Sequence, residues 1–235
     1  MGKLLVVTGG TKGIGRAIAY KFASEGFDII TCSRNKKDLE SLQKEMSAKF
    51  KVTIHALPAD LSKKEDTQLF IEFVKAKTQQ VDVLINNTGL FIPGQIHTEK
   101  EGVLEQMIDT NLYSAHRLTR GLVGDMVKRK SGHIFNICST ASITPYINGG
   151  SYCISKYALY GMTKVLREEM KEHDVRVTAV LPGATLTASW EGVDLPPERF
   201  VKAEDVAEMI YSVWSLSTSA VVEDLLIRPQ KGDIG

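Results

Sequence analysis

The chain has 235 residues, with 29 Lys plus Arg against 28 Asp plus Glu and a formal net charge of +1 at pH 7. Its 43% hydrophobic and 24% charged residues are those of a globular domain, which excludes long disorder, a collagen-like chain and a small disulfide scaffold. A near-neutral chain sets up no global basic field, so neither nucleic acid nor an anionic membrane surface is an expected partner.

Residues 3–8 read as a buried strand and residues 13–25 as a helix with Ile14, Ile18 and Phe22 on one face. Between them, Thr8-Gly9-Gly10-Thr11-Lys12-Gly13-Ile14-Gly15 has the strand–turn–helix context of a phosphate-binding turn. Glycine allows positive φ and leaves no Cβ in the way of a pyrophosphate. The helix N-terminus adds free N–H groups and partial positive charge. The spacing is T-G-x-x-x-G-x-G, with Gly9, Gly13 and Gly15 in the key places; a turn that merely joins strand to helix is the plainer alternative. Residues 28–33 form a second strand that ends at Ser33, followed by Arg34. A polar helix spans 35–49 and a third strand 52–56, with Asp60 and Leu61 beyond it. A third helix covers 63–78, with Leu69, Phe70, Phe73 and Val74 inward. The fourth strand, 81–86, runs into Asn86-Asn87-Thr88-Gly89. A long helix over 99–129 carries Asn111, a residue disfavoured in mid-helix. The fifth strand, 132–138, ends at Ser139; a helix spans 152–173 and a sixth strand 175–181. Pro182-Gly183-Ala184-Thr185-Leu186-Thr187 follows, then a helix over 203–216 and a last strand over 221–228.

Unbroken strand–helix alternation predicts an α/β fold: a doubly wound parallel sheet with helices on both faces, a Rossmann-type three-layer αβα arrangement in one domain over 1–235. There is no linker, repeat or low-complexity tract. No apolar run approaches the ~18 residues that span a bilayer, and the run at Leu4–Val7 is shorter than a signal-peptide core of ~7–15 residues. Cys32, Cys138 and Cys153 are odd in number, and His55, His97, His116, His133 and His173 are scattered. Neither set has metal-ligand spacing, so no metal site, no structural disulfide and a reducing cytoplasmic setting are expected.

Tyr152 and Lys156 stand four positions apart, on one helix face. A phenol of pKa ~10 is a poor acid or base near neutrality. A positive charge ~4 Å away at an effective dielectric of ~20 contributes ~4 kcal/mol, or ~3 pKa units. Lys156 is therefore expected to bring Tyr152 towards neutral pH, where acid–base catalysis is efficient. The stretch from Ser131 to Ser155 contains no Asp, Glu, Lys or Arg, as buried structure or a pocket wall would. Ser139 falls inside it at a strand's C-terminal end, where open α/β sheets bind ligands.

These motifs together resemble the short-chain dehydrogenase/reductase family, and the resemblance covers nearly the whole chain. It implies hydride transfer between a nicotinamide and a carbonyl or secondary alcohol of a small substrate. Asn111, Ser139, Tyr152 and Lys156 match the family's catalytic set. Ser139 and Tyr152 would hydrogen-bond the carbonyl oxygen, Tyr152 would give the proton, Lys156 would also hold the nicotinamide ribose, and Asn111 would anchor a water. On the cofactor side the resemblance implies Thr8, Gly9, Thr11, Lys12, Gly13, Ile14 and Gly15 in the turn. Beyond it come Asp60 and Leu61 near the adenine, then Asn87 and Gly89 in an Asn-Asn-Ala-Gly-like motif in which Thr88 replaces Ala. Pro182, Gly183, Thr185 and Thr187 fall at the nicotinamide end. The position that carries an acid in NAD-preferring members is Ser33, and Arg34 and Lys12 suit a 2′-phosphate, so NADP(H) is expected over NAD(H). The tail, Ile227 to Asp233, resembles that of bacterial sepiapterin-reductase-like members, with Asp233 and Trp190 as substrate contacts; as a solvated tail residue and a pocket-edge Trp they have plainer readings. A 3-oxoacyl-thioester reductase and a non-catalytic NADP-binding regulator are the alternatives. Family members form homodimers or homotetramers through the two long helices, and Val103, Met107, Leu118, Leu122 and Val123 are either core or interface.

Overall fold

A computed structural model describes residues 2–78, 80–187 and 194–234. Seven strands form one parallel sheet in the order β3-β2-β1-β4-β5-β6-β7. They are β1 (Leu4–Thr8), β2 (Asp28–Ser33), β3 (Ile54–Pro58), β4 (Val83–Asn86), β5 (Gly132–Ile137), β6 (Val175–Pro182) and β7 (Asp224–Ile227). The order reverses direction between β1 and β4, which opens a crevice at their C-terminal ends. This is the predicted doubly wound Rossmann-type fold.

The helices are α1 (Gly13–Ser24), α2 (Lys36–Lys49), α3 (Lys64–Lys77), α4 (Val103–Ile108), α5 (Ser114–Arg129), α6 (Gly150–Met170) and α7 (Ala203–Ser215). β1 shows why the central strands are apolar on both sides. Leu5 and Val7 join the core with Ile18 and Phe22 of α1 and Ile210 of α7. Leu4 and Val6 join the opposite core with Phe70 of α3 and Leu118 and Leu122 of α5. Phe73 packs at the edge of that core, but Leu69, expected inward, is 57% exposed, and Ile71 is buried in its place.

The long helix expected over 99–129 begins at Val103 and is broken by a π-helical turn at Asp109–Tyr113. Asn111 sits in that turn, not in regular helix. The helix expected over 152–173 starts earlier, at Gly150, and a 3₁₀ turn closes it at Lys171–His173. Met107, Leu118 and Leu122 are fully or nearly fully buried in the core. Two turns that lead into strands have left-handed non-glycine residues, Lys130 before β5 (φ 50) and Asp174 before β6 (φ 54). No helix among the described residues is long and apolar enough to cross a membrane.

Candidate active site

The crevice begins where β1 ends. Buried Thr8 accepts from the backbone N–H of Asn87 and of Thr88, each at 2.9 Å, through Oγ1. The Asn87 amide donates to Thr8 O at 2.8 Å. One threonine thus joins the two strand ends on either side of the switch point. Gly9 and Gly13 have φ of 67° and 52°, values that glycine adopts without strain. A Cβ on Gly13 would lie 3.0 Å from Thr187 Cγ2, so Thr187 closes over the turn. Gly15 is glycine for another reason: its Cβ would collide with Asn87 Nδ2 and Gly9 O. Gly10 likewise has no room beside the Thr31 hydroxyl, which itself accepts from Gly10 N at 3.2 Å; this fourth required glycine is not among the expected site residues. At the start of α1, Lys12 makes no side-chain cap and the first turn has no acidic residue. The N–H groups at Gly13, Ile14 and Gly15 therefore form an anion-ready helix end.

Beyond the turn, Thr11 donates to the Ser33 hydroxyl at 3.1 Å. Lys12 pairs with Asp38 at 3.5 Å, so its charge is shared. Arg34 is exposed. Asp60 is turned inward onto Ser62, accepting from its N–H at 3.2 Å and its hydroxyl at 2.8 Å. Leu61 is buried in the core, which leaves only its backbone for a ligand.

The expected catalytic residues converge beyond β4 and β5. Asn111 is fully buried. It accepts from Leu90 N at 2.6 Å and donates to Leu90 O at 3.0 Å and to Ser155 Oγ at 2.8 Å. Both amide protons are committed, and one acceptor lone pair remains on Oδ1. Ser155 passes the connection on by donating to Tyr152 O at 2.8 Å. It stands outside the motifs read from the sequence, although its i, i+3 relation to Tyr152 places it on the same helix face. Gly89 lies between Asn111 and Lys156: a Cβ there would be 3.5 Å from Asn111 Oδ1 and 3.6 Å from Lys156 Nζ. Ser139 caps the 3₁₀ turn Thr140–Ser142 and accepts from Ala141 N at 3.1 Å, so its hydroxyl proton is free to be donated elsewhere. It is also near enough to the Tyr152 phenol to favour the ionised form. The Phe91 ring meets the Tyr152 ring edge to face at 4.9 Å.

Lys156 is 4% exposed and donates to Ile137 O at 2.9 Å. Its Nζ is 5.8 Å from the Tyr152 ring centre. Burial lowers its pKa to about 8. Burial also raises the pKa of Tyr152, against the opposing Ser139 hydroxyl. The expected pull of Lys156 on Tyr152 is thus outweighed within the protein. The ammonium is committed to Ile137 O, and desolvation penalises its charge as well as the phenolate.

The last group is the one expected at the nicotinamide end. Pro182 ends β6, and Gly183 N donates to Ile227 O at 2.7 Å. Buried Thr185 donates to Gly183 O at 3.0 Å. A Cβ on Gly183 would lie 3.0 Å from Pro229 Cδ and 3.2 Å from Asp233 Oδ1. The tail therefore packs directly under this motif, with Asp233 accepting from Arg228. Trp190 lies outside the described residues.

The family model described as short chain dehydrogenase matches residues 3–196. Sepiapterin reductase of Chlorobaculum tepidum is 32% identical over 242 residues, spanning 100% of this chain and 99% of the relative. Among solved structures, an alcohol dehydrogenase of the archaeon Thermococcus sibiricus complexed with 5-hydroxy-NADP is 26% identical, covers 100% of both chains and has a TM-score of 0.92. A metagenomic short-chain oxidoreductase in complex with NADP is 30% identical over 97% of each chain, with a TM-score of 0.85. With its glycine turn, its convergent Ser, Tyr, Lys and Asn, and these matches along its length, the chain belongs to the short-chain dehydrogenase family.

Proposed function

We propose that this chain is an NADP(H)-dependent carbonyl reductase acting on a small substrate, with a pterin bearing a side-chain ketone, of the sepiapterin kind, as the substrate class. The observation that carries the reading is the convergence of Tyr152, Ser139, Lys156 and Asn111 at the C-terminal ends of β4 and β5, beside an uncapped helix N-terminus.

The residues fit a nicotinamide dinucleotide phosphate. The turn presents α1 with no competing side-chain cap or acid, as a pyrophosphate requires. Ser33 is neutral, and the exposed Arg34 beside it suits a 2′-phosphate; the NADP-complexed family neighbours support the same choice. When bound, the cofactor supplies or accepts the hydride. Within the protein, Ser139 has its proton available to hold a carbonyl oxygen where negative charge develops. Tyr152, kept protonated by burial, donates to that oxygen. Lys156 has two N–H groups left beyond its bond to Ile137 O, enough to hold a ribose and to place its charge near the phenol. Asn111 and Ser155 fix the backbone of Tyr152. The substrate class is supported by the full-length similarity to sepiapterin reductase and by the tail, which brings Asp233 to the Gly183 motif. Three buried thiols accord with a reducing cytoplasm. A homodimer or homotetramer is part of the same reading.

Oxidation of NADPH and NADH against sepiapterin, diketones, simple ketones and acyl thioesters tests the proposal. Turnover of sepiapterin with NADPH preferred is expected. Tyr152→Phe should remove turnover, by about 10²-fold or more, while NADPH still binds. A Tyr152→Phe protein with wild-type turnover, or a wild type inert towards every carbonyl, overturns it.

A further inference from the structure

Glu99 belongs to none of the motifs above, yet its carboxylate is bonded to the start of the helix that carries Tyr152 and Lys156. Oε1 accepts from Ser151 N at 2.9 Å, and Oε2 accepts from the Ser151 hydroxyl. Helix α6 has no cap of its own: Gly149 offers no side chain, and the first turn contains no acid. Glu99 supplies the missing anion at the positive helix end from 52 positions away. Two glycines make room for it. A Cβ on Gly94 would lie 2.7 Å from Glu99 Cγ, and one on Gly150 would collide with Oε1.

The loop between β4 and α4, which carries Glu99 near its end, is fastened to the site at every stage. Leu90 is bonded to Asn111 in both directions. Phe91 packs on Tyr152. Gly94 N donates to Asn148 O at 3.0 Å, the Gln95 amide donates to Asn148 Oδ1 at 3.0 Å, and Gly94 forms a parallel bridge with Gly149. Glu99 closes this circuit on Ser151, the residue immediately before Tyr152.

We propose that Glu99 is a positioning residue: its carboxylate locks the Phe91-bearing loop and the first turn of α6 into one unit, so that the Tyr152 phenol meets substrate in a single orientation. This rests on the carbonyl reductase reading. The experiment compares Glu99→Ala, Glu99→Gln, Ser151→Ala and the Glu99→Ala/Ser151→Ala double variant by kcat, KM, kcat–pH profile, NADPH fluorescence titration and hydrogen exchange. Glu99→Ala should lower kcat about 10- to 100-fold, since small misplacements of reacting groups cost that much, with NADPH affinity within about twofold. The limb of the kcat–pH profile set by Tyr152 should move, and the amides of Ser151 to Cys153 should exchange faster. Glu99→Gln keeps an acceptor for Ser151 N and should recover most of kcat. The double variant should lose less than the sum of the singles. Wild-type kcat and pH profile in Glu99→Ala overturn the inference, as do equal losses of kcat and NADPH affinity, which would mark general loosening. If Glu99→Ala does not fold, an unchanged kcat in Ser151→Ala overturns it. A wild type inert towards carbonyls would overturn the underlying reading instead, and hydrogen exchange would then show whether the tether exists without catalysis.

Discussion

An ammonium in the protein interior loses its hydration, and Lys156 recovers one hydrogen bond within the protein, to Ile137 O. Its pKa falls from 10.5 to about 8 for that reason. Between those values the unfolded chain binds a proton that the folded chain has released, so stability rises with pH across the window, and the penalty is fully present below it. Lys156→Met removes this linkage. Denaturant melts should show the wild type gaining up to about 3 kcal/mol on the variant between pH 7 and pH 10.5; a difference that stays flat across the window refutes the shift. His133 is displaced in the same direction by burial, but its window is lower: it stays neutral in the fold, and stability is lost as pH falls below the ordinary histidine value. Residue types and their order are legible in the sequence for Asn111, Ser139, Tyr152 and Lys156, because each stands beside a recognisable strand end or helix face. Glu99 and Phe91 are not, since their partners are more than 50 positions away and no local period links them. The direction of the Tyr152 shift is also hidden from the sequence, because spacing carries no information on desolvation.

At the scale of elements, glycine separates two roles that composition cannot distinguish. Gly15 in α1 abuts Asn87 and Gly9 O, whereas a methyl group on Gly124 in α5 would meet nothing within 4 Å. Alanine should therefore act with opposite sign at the two sites. Gly15→Ala should destabilise by about 1–3 kcal/mol through overpacking and weaken NADPH binding with it. Gly124→Ala should stabilise by about 0.5–1 kcal/mol by removing backbone freedom from the unfolded chain. Thermal melts of the two variants decide the matter, and a stabilised Gly15→Ala would refute the packing argument. Apolar runs mark the central strands closely, β2 to the residue. They mark the outermost ones less well: β7 begins at Asp224 although the apolar run starts at Val221, which is 41% exposed. β7 pairs only with β6, and its ladder starts at Asp224 opposite Ala179, midway along β6; just before it the Val222 carbonyl accepts from the Thr178 hydroxyl instead. The π turn at Asp109–Tyr113 is hidden because buried Met107 and Leu118 continue an apolar helical pattern on either side of it.

For the molecule as a whole, burial narrows where a second copy would sit. Met107, Leu118 and Leu122 belong to the core, whereas Ile154, Tyr157 and Val165 of α6 are 40%, 42% and 60% exposed. These three mark the face expected to pack in an oligomer. Sedimentation equilibrium should report a dimer or tetramer that Val165→Glu weakens, and a monomer at every concentration would refute the assembly. The parallel sheet also divides the molecule into two unlike rims. Every strand points its C-terminal end at the crevice, so the helix ends and strand starts gather on the far side, among them the left-handed turns at Lys130 and Asp174. A non-glycine residue in that conformation costs about 1–2 kcal/mol. The strain of these two turns lies on that far rim, away from Tyr152, Ser139, Lys156 and Asn111, whereas the third left-handed non-glycine residue among those described, Asn148 (φ 66), stands just before α6 on the site side. Relaxing Lys130 and Asp174 alone would separate thermal robustness from activity, a separation most enzymes deny to those who engineer them.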